Sequence, residues 1–148
     1  MQQSARAICG RRAAYVLDEQ IGFILRQAYQ RNSLLFGELF GDELTPTQWA
    51  AIAKLSEVGP CSQNHLGRLI AMDAATVKGV VDRLMKRGLV ESAPSATDRR
   101  RLLVSLTAGG RKAFDQGLAR AFEASAKTLS PLKANEQAVL LRLLKRIG

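Results

Sequence analysis

The chain has 148 residues, enough to bury a hydrophobic core without disulfides or a structural metal. Hydrophobic residues make up 47% and charged residues 24%, a balance that excludes wholesale disorder. Lys and Arg number 22 against 13 Asp and Glu, which gives a formal net charge of +9. A surplus of this size favours a polyanionic partner, above all nucleic acid, over a merely solvated basic surface.

The two cysteines, Cys9 and Cys61, are far apart and form no CxxC pair, which excludes a disulfide scaffold and a cysteine zinc site. This usage fits a reducing compartment. No apolar run approaches 18 residues, so no membrane span is predicted. The basic N-terminus lacks the apolar stretch of a signal peptide. We expect a cytoplasmic protein with no cofactor, metal or membrane association.

The first predicted elements are a basic arm over residues 1–14 and a helix over residues 18–41. Apolar side chains recur in that helix at spacings of three and four residues. The second helix has a clear start signal. Thr45 can cap it, Pro46 suits its first position, and Gln48 can complete a capping box. A Gly-Pro pair ends this helix.

Two further helices and a hairpin are predicted next. Ser62 can cap a short helix that runs to Ile70, and Asp73 can cap a helix from Ala74 to Arg87. Gly88 then follows at the C-terminus of this helix, where a residue with left-handed backbone conformation is favoured. Over residues 89–92 and 102–106 the hydrophobic pattern changes from that of a helix to that of two strands. The polar turn between these strands ends in basic residues.

The last predicted elements are two more helices. Thr107 can open a long helix to about Leu129, and Ser130-Pro131 marks the start of the final one. Both helices carry apolar stripes. The stripe of the final helix consists of Val139, Leu140, Leu143, Leu144 and Ile147.

The predicted fold is mainly α with a small β-hairpin. Residues 45–106 have the order of a winged helix-turn-helix DNA-binding domain, flanked by helices in residues 15–44 and 107–148. The flanking stripes must be buried. A symmetric homodimer through these helices is favoured over a bundle within one chain, because a two-fold protein matches a two-fold, pseudo-palindromic operator.

At this point the sequence resembles the MarR family, over nearly the whole chain from Leu17 to Ile147. The sharpest motif is Asp98–Gly110, which resembles the family's wing signature of Asp-x-Arg, a strand and then Leu-Thr-x-x-Gly. Three further segments, Met72–Val77, Val81–Leu84 and Arg87–Val90, match its recognition helix and the entry to the wing. Each segment alone is a weak signal, whereas their order and spacing together are specific.

The recognition helix departs from the usual family pattern, and three other segments are similar to one subgroup of the family. Many relatives have Thr-x-Thr-Arg early in the recognition helix, where this chain has Thr76-Val77-Lys78-Gly79, so the operator sequence does not carry over. The runs Tyr15–Arg26, Gly59–Asn64 and Ala71–Thr76 are similar to repressors of nicotinate degradation within the family. That similarity implies a hydroxylated pyridine carboxylate such as 6-hydroxynicotinate as effector.

The start of the predicted recognition helix carries the candidate base-reading residues Ala74, Ala75, Thr76 and Lys78. A helix fits the major groove, and the residues near its N-terminus reach the base edges. Small side chains allow close approach, while Thr76 and Lys78 can donate to bases or phosphates. For Thr76 the alternative is a local hydrogen bond that only supports the helix.

The wing carries the second set of candidate DNA-binding residues. Arg99 and Arg100 are predicted at its tip, beside the minor groove, whose negative potential attracts arginine. Asp98 is expected to hold an arginine in place by a charge-assisted hydrogen bond. The alternative is a solvated charge run. Three other cations are expected either to contact phosphates or to be solvated, namely Lys86, Arg87 and Arg101.

The resemblance implies an effector site between the DNA-binding lobe and the dimer helices. Arg26 is the candidate clamp for the carboxylate of a small aromatic acid, since a guanidinium can make two parallel bonds to it. Phe23 and Gln30 share its helix face, and Trp49 can close the pocket. The alternatives are an ordinary salt bridge for Arg26 and plain core packing for Phe23 and Trp49.

A repressor released by its ligand is the leading prediction, and three other functions compete with it. A redox sensor is disfavoured because the first-helix cysteine of hydroperoxide-sensing relatives is absent from Ile21–Phe23. An enzyme is disfavoured because one histidine, His65, supports no catalytic triad, and that residue is expected to be surface filler. An architectural protein would bind all duplexes alike, whereas a regulator prefers its palindrome by roughly a thousandfold.

Overall fold

The computed structural model describes residues 14–148. These residues belong to two compact units, the first ending at Arg31 and the second spanning Asn32–Gly148. The mainly helical class with one hairpin is confirmed. The elements, in chain order, are a 3-10 turn at Leu17–Glu19, α1 (Ile21–Phe40), α2 (Pro46–Val58), α3 (Gln63–Leu69), α4 (Ala74–Lys86), β1 (Val90–Pro94), β2 (Leu102–Leu106), α5 (Ala108–Leu129) and α6 (Ala134–Ile147).

Four of these helices begin at a side chain that accepts the main-chain N–H three residues on. Such caps satisfy N–H groups that have no partner within the helix. All four were predicted, and in α2 the Gln48 side chain also accepts the N–H of the capping residue at 3.2 Å. The capping residues are Thr45 for α2, Ser62 for α3, Asp73 for α4 and Thr107 for α5.

The hairpin is antiparallel, with Val90 opposite Leu106 and Pro94 opposite Leu102. Its second strand also pairs with the loop before α3. The Cys61 N–H donates to the Val104 carbonyl at 3.1 Å, and the Val104 N–H donates to the Cys61 carbonyl at 2.8 Å. This bridge, which the sequence pattern did not predict, ties the wing to the helix-turn-helix.

The core of the DNA-binding region lies between α2, α3 and α4, with the hairpin at its edge. Its side chains come from the apolar stripe of each helix, as the three- and four-residue spacing predicts. The most completely buried members are Ile52, Leu66, Val77, Val80, Val81 and Leu84.

An aromatic cluster joins the end of α1, the start of α2 and the middle of α5. The rings of Phe36 and Phe40 stack at 4.1 Å between centroids, and Trp49 lies 5.3 Å from Phe40 and 5.5 Å from Phe114. Gly117 permits this packing, because a Cβ there would lie 2.6 Å from Cζ3 of Trp49. Helix α5 therefore approaches α2 more closely than a side chain would allow.

Two helix boundaries differ from the prediction. A continuous helix from residue 18 is wrong, since Gln20 has extended backbone between the 3-10 turn and α1 and its side chain donates to the Val16 carbonyl. The last helix starts at Ala134 rather than at Ser130-Pro131. The chain turns first, and the Glu136 carboxylate then accepts the Lys133 N–H at 2.7 Å.

The first strand of the hairpin is also longer than predicted, because it includes Pro94. Proline has no main-chain N–H to donate to the hydrogen bonds between strands. It is tolerated here because β1 is an edge strand of a two-stranded sheet, where not every N–H has a partner strand. The N–H of the next residue, Ser95, donates to the Arg101 carbonyl at 2.7 Å. Most of the predicted basic arm over 1–14, including Cys9, lies outside the described residues, and the division into domains stays a prediction.

We expect Gly117→Ala to lower the free energy of unfolding, because overpacking costs about 1–3 kcal/mol. Gly37→Ala is the matched control. It changes another helical glycine, with no neighbouring atom within 4 Å of the added Cβ, and should stabilise the protein by about 0.5–1 kcal/mol. Chemical denaturation at one protein concentration measures both variants. Equal stabilisation by the two substitutions would contradict the close contact at Gly117.

Candidate nucleic-acid interface

Helix α4 has one buried and one exposed face, and the predicted base-reading residues lie on the exposed one. Val77, Val80 and Leu84 are buried against α2 and α3. The four candidate residues Ala74, Ala75, Thr76 and Lys78 are all exposed at the N-terminal end of the helix. The structure therefore presents small and donor side chains where a recognition helix reads bases.

Asp73 organises the start of this helix. Its carboxylate accepts the main-chain N–H of Thr76 at 2.7 Å. Hydrogen bonding from Thr76, chiefly from this main-chain N–H, lowers the pKa of Asp73 below its ordinary value. The contact of the Thr76 hydroxyl with a base or a phosphate stays a prediction.

Lys78 and Gly79 show how the exposed face of α4 is arranged. The Lys78 ammonium pairs with the Asp82 carboxylate at 2.7 Å, and both side chains are exposed. An exposed pair of this kind contributes little to stability, so a phosphate can replace Asp82 at low cost. Gly79 leaves room for the guanidinium of Arg83, which lies 3.4 Å from the position of a Cβ there. Sequence reasoning did not single out Arg83.

Hydrogen bonds from main-chain N–H groups to Asp98 order the wing tip. Asp98 Oδ1 accepts the N–H of Arg100 at 3.0 Å, and the Asp98 carbonyl accepts the N–H of Arg101 at 3.0 Å. Asp98 thus holds an arginine by the backbone, which fixes the turn, and not by its guanidinium as the charge pattern suggested. The side chains of Arg99 and Arg100 are exposed.

The two candidate cations at the C-terminal end of α4, Lys86 and Arg87, have different surroundings. Lys86 is exposed. Arg87 donates to Oε1 of Gln48 at 3.3 Å and so connects the end of α4 to the start of α2. Glu43 lies nearby, and its pKa is lowered mainly by the hydrogen bond and charge of Arg120, with a smaller contribution from Arg87. Arg87 therefore has an internal role, and its phosphate contact remains a prediction.

The four candidate effector residues fall in different units. Phe23, Arg26 and Gln30 lie on α1 within the first unit, where Phe23 is half-buried and the other two are exposed. Trp49 lies on α2 in the second unit, half-buried in the aromatic cluster. Its packing there matches the core alternative. The effector role of all four residues stays a prediction.

Cys61 is buried, and burial raises the pKa of its thiol. The thiolate is the reactive form of cysteine, so this environment makes Cys61 a poor redox sensor. Among residues 14–148, no group of three or more His, Cys, Asp or Glu side chains is placed to hold a metal ion. In the same part of the chain, no helix is long and apolar enough to cross a membrane.

Comparison with known proteins agrees with this geometry. The MarR family profile matches residues 44–102. The transcriptional repressor NicR of Pseudomonas putida is 37% identical over 90% of this chain and 85% of its own. A probable transcriptional regulator from Pseudomonas aeruginosa is 56% identical, with a TM-score of 0.84 over 90% of this chain and all of that one. BpsR of Bordetella bronchiseptica, whose DNA binding is regulated by 6-hydroxynicotinic acid, is 32% identical, with a TM-score of 0.87 over 91% of this chain and 97% of that one.

The cap of α4 gives a prediction about pH. Because its folded-state pKa is lowered, the Asp73 carboxylate stabilises the fold above the ordinary aspartate pKa, and this contribution is lost as pH falls through the lowered value. Asp73→Ser keeps a capping oxygen but removes the titrating group. Thermal unfolding should show a stability margin of the wild type over the variant that shrinks between about pH 7 and about pH 3. A margin that stays constant with pH would contradict the role of the carboxylate.

Proposed function

This chain belongs to the MarR family of winged-helix transcription regulators and is not an enzyme, and we propose that it is a homodimeric repressor that leaves its operator when a small aromatic acid binds. The observation that carries the proposal is the exposed surface formed by α4 and the wing. The helix presents Thr76 and Lys78 near its start, and the wing presents Arg99 and Arg100. The net charge of +9 supplies long-range attraction to DNA.

The terminal helices support the homodimer. In the second unit, large apolar side chains are exposed on α5 and α6, where Phe122 is 69% and Ile147 68% exposed. Leu118 lies four residues before Phe122, and Leu140 and Leu143 precede Ile147 at helical spacing, so each helix has a continuous exposed stripe. Exposed apolar patches of this kind mark interaction surfaces. A second copy of the chain offers the same stripes, and its two-fold symmetry suits a palindrome.

The first unit carries a stripe of its own. Ile21, Ile24 and Leu25 on α1 are exposed at spacings of three and four residues, together with Tyr15 and Leu17 before the helix. Both predicted flanking segments therefore expose apolar surface in the single chain. We assign this surface to the homodimer as well.

The effector class is inferred from relatives. BpsR is regulated by 6-hydroxynicotinic acid, and NicR is a repressor with 37% identity to this chain. A hydroxylated pyridine carboxylate is therefore the proposed ligand, with Arg26 as the donor to its carboxylate. Ligand binding would favour a dimer geometry that does not match the operator and would shift the population away from the DNA-bound form.

The deciding experiment measures fluorescence anisotropy of labelled duplex from the chain's own upstream promoter, at fixed salt, with and without 6-hydroxynicotinate. We expect tight binding that the compound weakens, and a preference over scrambled duplex of roughly a thousandfold. Benzoate, which lacks the ring nitrogen and hydroxyl, is the control compound. Equal binding to promoter and scrambled duplexes would indicate an architectural DNA-binding protein instead of a repressor. Promoter binding that 6-hydroxynicotinate does not change would exclude this compound as the effector.

Arg26→Gln should keep operator affinity and lose the response to 6-hydroxynicotinate, because the carboxylate loses a charged, bidentate donor. Arg26 is exposed on α1, so the substitution leaves the core unchanged. The same anisotropy titration, with the compound varied at constant DNA, measures the response. A variant that still responds at wild-type concentrations of the compound would exclude Arg26 from the effector site.

Arg99→Ala and Arg100→Ala should each weaken operator binding, by about 1–3 kcal/mol if the arginine makes a direct contact. Arg142→Ala is the matched control, since it removes an exposed arginine from α6, which is not part of the proposed DNA surface. Anisotropy at several salt concentrations gives the affinity and its salt dependence. If both wing variants bound DNA like the control, the wing would have no part in the interface.

A further inference from the structure

An open cleft of about 430 Å³ lies between α3 and the wing, beside the proposed DNA surface. Basic side chains line it from both walls, with His65 and Arg68 on the helix side and Arg101 on the wing side. The hydroxyl-bearing residues Ser62 and Ser95 also line it, and none of the lining residues is acidic. The cleft therefore offers donors and positive charge without an internal counter-ion.

The two walls of the cleft are held at a fixed separation. The main-chain bridge between Cys61 and Val104 joins the start of the α3 wall to the wing strand. On the wing side, the Arg101 N–H and carbonyl are both bonded within the turn, to Asp98 and Ser95. The cleft is thus formed before any ligand arrives, which reduces the ordering cost of binding.

The side chains on the helix wall are close to one another. Arg68 Nη2 lies 3.4 Å from His65 Nδ1, and the Ser62 Oγ accepts the His65 main-chain N–H at 3.2 Å. Ser62 uses an acceptor lone pair in that bond, so its hydroxyl hydrogen remains available to donate. No carboxylate forms an ion pair with Arg68 or Arg101 among the described residues.

We propose that this cleft binds a phosphodiester of the operator backbone, with Arg68 and Arg101 as its charged donors and the His65 ring beside Arg68. The inference rests on the proposed function and adds residues of α3 to the DNA surface. In a helix-turn-helix the first helix crosses the backbone beside the recognition helix, which places α3 near a phosphate. A guanidinium matches the geometry of phosphate oxygens.

The proposed contact positions the protein without reading sequence. Removing Arg68 should therefore weaken operator and scrambled duplexes by the same factor and lower the salt slope.

The first test compares Arg68→Gln with Arg142→Gln in salt-dependent anisotropy titrations on promoter and scrambled duplexes. We expect the Arg68 variant to bind both duplexes about tenfold more weakly, with a slope of log affinity against log salt reduced by about 0.9. The Arg142 variant should match the wild type. An unchanged slope and affinity for Arg68→Gln would overturn the proposal while leaving the repressor function intact.

The second test uses the fact that His65 is the only histidine in the chain. Its ring resonances can be followed by NMR in the untagged protein, with promoter duplex in one series and inorganic phosphate in the other. Ring resonances of His65 that shift when the promoter duplex is added support the proposal. If anisotropy shows that the duplex is bound and the His65 resonances do not move, the proposal is overturned. A response to inorganic phosphate but not to the duplex also overturns it, because the cleft would then be a site for free anions. Absence of any DNA binding would overturn the proposed function as well.

Discussion

Helix α5 has to pack on two sides at once, and this requirement governs the rest of the structure. On one side Gly117 lets the helix approach the indole of Trp49 within the aromatic cluster. On another it exposes Leu118 and Phe122, which a single chain leaves in water. A helix with two apolar faces is stable only when both are covered. The second face is the physical reason to expect a partner, and a second copy of this chain supplies a matching face.

The same helix connects the proposed dimer surface to the DNA surface. Its capping residue, Thr107, donates from its hydroxyl to the Gly88 carbonyl at 2.6 Å, directly after α4. Further along, Arg120 pairs with Glu43 at 2.8 Å and lies over the ring of Phe40 at 4.5 Å. These contacts join α5 to the turn that follows α4 and to the segment that precedes α2. A ligand that changed the arrangement of two such subunits would therefore also change the separation of their recognition helices.

The sequence predicted the order of the elements and the capping residues because these depend on local patterns, namely apolar spacing and side chains next to helix starts. It did not predict the Cys61–Val104 bridge, the Gly117–Trp49 contact or the His65–Arg68 wall of the cleft, since these join residues distant in the chain or depend on which face turns inward. Asp98 shows the same limit at the candidate site. The charge pattern indicated an arginine partner, whereas the turn geometry decided that the bond goes to the Arg100 main chain.

The central claim is that the exposed stripes of the terminal helices are covered by a second copy of the chain. Sedimentation equilibrium of the full-length protein at micromolar concentration, without DNA or ligand, tests it most directly. We expect a mass of twice the 16.1 kDa chain. A folded protein that stayed at the mass of one chain throughout that range would contradict it, and the stripes would then need a different partner.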